Sequence, residues 1–185
     1  MGPVGYIIIA VLVILVIYFI SVYNSLVKLN NNVKEAFSTM DVYLKKRWDL
    51  IPNLVETVKG YAKHEKGTLE EVVKLRNGAY DKMSPDEKLE NNAKLSAGIT
   101  KIMALAEAYP ELKANQNFLS LSSDLSSVEA DIANSRKYYN GVVKMFNNKV
   151  MMFPSNIVAN MLGYKEQKMY EVDSTEERKN VKVQF

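Results

Sequence analysis

The chain has 185 residues, a formal net charge of +3 and no cysteine. Its length predicts one domain with an appendage, and the missing thiols exclude disulfide scaffolds, thiolate zinc sites and cysteine nucleophiles. So mild a charge, with acids and bases interleaved along the chain, excludes a nucleic-acid partner and predicts solvated helix faces.

The first charged residue is Lys28, and the run from Val4 to Tyr23 is almost wholly apolar. At about 1.5 Å per helical residue it covers roughly 30 Å, the thickness of a bilayer core. Tyr6, Tyr18 and Tyr23 lie near its two ends, where amphipathic rings favour the membrane interface. A signal peptide would need a basic start and a small-residue cleavage site, and neither is present. Residues 1–23 are therefore predicted to be a short N-terminus and a retained anchor, contacting the lipid bilayer through residues 4–23. Lys28, Lys34, Lys45, Lys46 and Arg47 all follow the span, which predicts an outside N-terminus and a cytoplasmic C-terminal domain.

Residues 24–165 read as helical. Leu26, Leu29, Val33, Phe37, Met40, Leu44, Trp48 and Ile51 form one stripe at steps of three and four. Pro52 then either kinks this helix or divides it from a second one. The division is preferred, with Asp49 near the new N-terminus, because the stripe changes phase there. Leu54, Val55 and Val58 resume the pattern. Lys45, Lys46 and Arg47 are taken as part of a solvated face. After Gly67, Thr68 and Glu71 have the spacing of a capping box. Ser84, Pro85 and the following acids mark the start of a helix that Pro110 ends or restarts. From Phe118 to Val150 a heptad-like seam runs through Leu125, Val128, Ile132, Tyr139 and Phe146, the pattern of coiled-coil and bundle packing. A short helix is predicted from about Ser155, with Gly163 just beyond its end. Residues 166–185 form a polar tail, extended or disordered from Glu171 on. The fold class is all-α: one N-terminal transmembrane helix, then an antiparallel four-helix bundle of long helices.

Chemistry is sparse. His64 is the sole histidine, and although Glu65 follows it, position 68 is threonine, so the H-E-x-x-H zinc pattern is absent. A metal-dependent enzyme around His64 is a remote alternative, and a surface histidine near a helix end is preferred. No nucleophile elbow, phosphate loop or dinucleotide fingerprint occurs. No catalytic residue, cofactor, metal or small-molecule substrate is predicted. An interaction site or structural corner is assigned to Asp49, Pro52, Asn53, Lys59, His64, Tyr109, Pro110, Asn115 and Asn117. For Asn115 and Asn117 the preferred reading is a junction whose amides satisfy backbone groups. Between Lys149 and Lys165 no residue is charged. Met151, Met152, Phe153, Ile157, Met161 and Leu162 are placed near the membrane, either covering the open end of the bundle, which is preferred, or dipping into the interface.

The stretch from Tyr23 to Glu65, "YNSLVKLNNNVKEAFSTMDVYLKKRWDLIPNLVETVKGYAKHE", resembles the LemA family of bacterial membrane proteins. So do "EAYPELKANQNFLSL" (107–121), "RKYYN" (136–140) and "MFPSNIVANMLGY" (152–164). Asn30 and Phe37 depart from the family pattern, which more often has a basic residue and tryptophan there. The resemblance implies a single-pass protein of the bacterial cell membrane with a cytosolic helical bundle and no known enzymatic activity. The unbroken rod around Tyr23–Lys28 and the uncharged stretch Val150–Tyr164 predict a scaffold, homo-oligomeric or bound to another membrane protein. The alternative is an adaptor or regulator of a membrane protease or envelope-stress system.

Overall fold

A computed structural model describes residues 2–62, 64–76 and 79–170. These form six α-helices and one 3-10 turn, with no strand among the described residues: α1 (Pro3–Lys59), α2 (Lys66–Leu75), the turn Tyr80–Lys82, α3 (Pro85–Glu107), α4 (Pro110–Lys113), α5 (Gln116–Met151) and α6 (Ser155–Met161). The tail from Glu171 lies outside the described residues. Two compact units divide the chain. The first joins Met1–Ser38 to Lys137–Met169, and the second joins Thr39–Arg136 to Tyr170. Both α1 and α5 therefore contribute to each unit.

Helix α1 is continuous through Pro52, so the expected division is corrected. The proline costs about 3 kcal/mol within a helix. Trp48 and Ile51 before it, and Leu54, Val55 and Val58 after it, are all buried. Burying one large apolar side chain stabilises by about 1.5–3 kcal/mol, so keeping these five on one face outweighs the proline. The steps 48, 51, 55, 58 hold a single phase. Asp49 is thus inside the helix, where its carboxylate accepts from Lys45 Nζ at 2.6 Å.

The expected capping box at Thr68 is also corrected. Helix α2 starts at Lys66 with no side-chain cap, and Thr68 is inside it. Glu71 instead accepts from Lys101 Nζ of α3 at 2.9 Å. Helices α2 and α3 approach closely at Gly98, where an added Cβ would come within 2.8 Å of Val72 Cγ2.

Helix α3 begins as its sequence predicts. The Ser84 N–H donates to Glu87 Oε2 at 2.7 Å and the Glu87 N–H to Ser84 Oγ at 3.3 Å, with Pro85 in the first turn. That backbone bond holds the Glu87 carboxyl below the usual carboxylate range. Helix α5 buries Phe118, Leu125, Val128, Ile132, Tyr139, Phe146 and Val150, while Leu121 is half-buried. At the end of α6, Gly163 takes φ +70°, the Tyr164 N–H donates to the Ala159 carbonyl at 3.0 Å and the Gly163 N–H to that of Asn160 at 3.1 Å. This is a Schellman closure, which needs the left-handed residue that glycine supplies without strain.

Candidate functional site

Three features stand out. The first is the start of α1. An 18-residue window in it has a mean hydropathy of 2.9 and no buried residue. Side chains from Val4 to Ile20 are exposed, apart from Gly5, and burial starts only at Val22 and Leu26. A helix that is apolar all round and covered by no protein is compatible with a membrane anchor.

The second is the corner between α5 and α6. Met151, Met152, Phe153, Ile157, Met161 and Leu162 are all exposed, Phe153 by 79% and Met161 by 71%. The preferred expectation made this segment a cover for the open end of the bundle, and the six side chains named for it face outward. The turn instead buries Ser155, Val158 and Ala159. Ser155 Oγ donates to the carbonyls of Lys149 at 2.7 Å and Met152 at 2.9 Å, and the Tyr164 ring meets Phe146 edge-on at 5.6 Å. With that inner face closed, α6 has nowhere to put its outer apolar residues.

The third is a pair of polar nodes in the second unit. Arg47 is fully buried, which corrects its assignment to a solvated face. Its Nη1 donates to Ser96 Oγ at 2.9 Å and to the Glu129 carboxylate. Its Nη2 donates to the Asn92 carbonyl at 2.6 Å and to the Asn92 side-chain oxygen. The Asn92 amide donates in turn to the Tyr170 hydroxyl, and Arg136 lies 5.4 Å from that ring. A buried guanidinium needs such partners, because an unpaired charge in a low-dielectric site costs several kcal/mol. A sequence signal existed: Arg47 follows Leu44 by three and precedes Ile51 by four, so it belongs to the buried stripe.

In the other node Asp41 accepts from the Tyr80 hydroxyl at 2.6 Å and from Lys88 Nζ at 2.7 Å. Lys88 Nζ also lies 4.5 Å from the Tyr80 ring, which packs on Trp48 at 5.3 Å. Burial, then the hydrogen bond and charge of Asp41, push the Tyr80 phenol above its ordinary range.

The residues assigned to a structural corner are spread along the chain. Asn53 is exposed in α1, its carbonyl accepting from Thr57 at 2.7 Å. Lys59 pairs loosely with Glu56 at 3.4 Å, and His64 is exposed in the turn after α1. Pro110 opens α4 with Tyr109 before it. Asn115 does what its preferred reading describes: Oδ1 accepts the Phe118 N–H at 3.0 Å, capping α5, and Nδ2 donates to Tyr61 at 2.9 Å. Asn117 is exposed in the first turn of α5. A groove of about 440 Å³, lined by Val55, Ala62, Leu69 and Val73 among others, includes Lys59 but no other residue of that set. Among the described residues no three histidine, aspartate or glutamate side chains converge as a metal site.

Fold and surface together define an all-helical protein whose first helix begins as an uncovered apolar rod and ends as part of a buried core. The family model described as the LemA family matches residues 36–185. The chain is 30% identical over 158 residues to Protein LemA of Metamycoplasma hominis, covering 82% of this chain and 71% of that one. The chain belongs to the LemA family.

Proposed function

We propose that this protein is a single-pass, membrane-anchored scaffold that works by presenting helix faces to other proteins or to copies of itself, not by catalysis. The observation that carries this reading is α1. One helix is uncovered and apolar from Val4 to Ile20, then supplies core residues to both units. The anchor is residues 4–23, with the N-terminus outside and the helical domain on the cytoplasmic side, where Lys28 and Lys34 favour it. In the second unit, α1, α2, α3 and α5 form a bundle-type core. Arg47 Nη2 and Asn92, both buried there, bond one another, as a device for fixing helix register would require.

Two measurements on the full chain test this. Membranes washed at alkaline pH should retain it, and light scattering in mild detergent should show a defined assembly of copies. Release by the wash would overturn the anchor. A monomer at every concentration would replace self-association with the adaptor reading, and the next step would be cross-linking to another membrane protein.

A further inference from the structure

The first unit contains only two chain segments, Met1–Ser38 and Lys137–Met169. They meet where Phe37 lies edge-on to Tyr139 at 6.0 Å. Val22 and Leu26 are 2% and 0% exposed, so the second segment must run back along α1 from Phe37 to cover them. From Phe37 back to Leu26, and from Tyr139 on to Val150, are equal lengths of helix, about 17 Å each. Val150 is buried as well, and the next residues turn the corner into α6. The corner therefore sits level with Val22, where the apolar span ends and the cover begins.

We propose that this corner is a second membrane contact. On this reading Met151, Met152, Phe153, Ile157, Met161 and Leu162 insert into the headgroup–acyl boundary of the same bilayer that holds α1. The inference rests on the anchor proposed above and assigns it a lipid-binding element beyond the span. An ordinary surface helix turns charged residues outward. This one has no charge from Val150 to Tyr164, and Ser155, Val158 and Ala159 already close its inner face. Lys149 and Lys165 bracket the uncharged stretch, with Lys144 and Lys168 further out and Glu166 the sole acid among them. Apolar side chains flanked by bases complement an interface with anionic headgroups. Bonds from Ser155 and the Schellman closure at Gly163 hold the apolar residues in place. With two points of attachment the domain would lose its freedom to rotate about α1.

Because the chain has no cysteine, single labels test this directly. Phe153→Cys, Met161→Cys, Ile14→Cys and Ser123→Cys would each carry an environment-sensitive fluorophore in the full chain. Each protein, checked for native helicity, would be placed at one copy per nanodisc of mixed zwitterionic and anionic phospholipid. Labels at 153 and 161 should emit to the blue and be quenched several-fold by lipids with a nitroxide near the headgroup. The label at 14 should respond to a nitroxide deep in the acyl chain, and that at 123 to neither. Water-like emission at both 153 and 161, with 14 still quenched from the deep position, would overturn this contact and leave the anchor standing. Blue emission at 153 and 161 without nitroxide quenching would likewise overturn it, in favour of a protein cover. No quenching at 14 would overturn the anchor and this contact together. Should one corner variant fail to fold, the other decides.

Discussion

The two units solve opposite problems. In the first, apolar side chains lie on the outside from Val4 to Ile20 and again from Met151 to Leu162, and a small core is closed around Leu26 and Phe146. In the second, the outside carries ion pairs such as Lys45–Asp49 and Lys101–Glu71, and a charge is taken inside at Arg47. Their pattern of exposure teaches where each meets water. Exposed Met151, Met152, Phe153 and Met161 in the first unit fit the membrane-anchored reading proposed above, whereas the second pairs its surface charges and bonds the one it buries.

The largest test of this contrast is Phe146→Ala. Phe146 is fully buried and supports Tyr164, so its loss should cost about 3–5 kcal/mol in urea unfolding of the detergent-solubilised chain. Faster amide exchange should concentrate at residues 22–38 and 139–159. Equal acceleration across residues 40–60 and 85–106 would show that the two units unfold as one cooperative body.

Arg47→Ala should come next. It strands the Asn92 carbonyl and amide oxygen and the Glu129 carboxylate, and it leaves a cavity. Glu129 is partly solvated, so the expected loss is about 3 kcal/mol, at the low end for breaking a buried ion pair. Arg47→Met refills the volume but strands the same acceptors, so what it recovers measures the cavity alone. A methionine variant as weak as the alanine one would show that the bonds, not the packing, hold the node.

Tyr80→Phe should have the smallest effect at neutral pH, about 1 kcal/mol for one hydrogen bond, since Asp41 keeps Lys88. Its signature is at alkaline pH. The phenol's folded value lies above its unfolded value of about 10. The unfolded chain therefore releases this proton first. The stability it contributes is complete below pH ~10 and is lost as pH rises beyond that. Urea midpoints measured against pH should fall more steeply for the native chain than for Tyr80→Phe. Parallel curves would place the Tyr80 hydroxyl in contact with water.

How much could be read beforehand varied with the reach of each signal. The Ser84–Glu87 cap, the Gly163 closure and the α5 seam are local: each depends on residues within a turn or two, so spacing alone locates them. Thr68 had the same local signature and failed. Leu69 and Val72 set the position of α2, and Glu71 turned to Lys101 on another helix. Pro52 failed for the same reason, its local cost being overridden by a core on both sides. The place of Arg47 on the buried stripe was legible from Leu44 and Ile51, but its partners were not, because Asn92, Ser96 and Glu129 lie far along the chain.

By itself the sequence determined an all-helical chain with an apolar rod at its start, because a missing charge and a three-to-four spacing act over short distances along one strand of polypeptide. Its match to the LemA family was equally open to view, since the motifs are contiguous. Only the tertiary structure decided which polar residues enter the core and which apolar ones remain outside. Burial depends on what packs against a side chain. For Arg47 that is three distant residues which bond its guanidinium, while Phe153 stays 79% exposed.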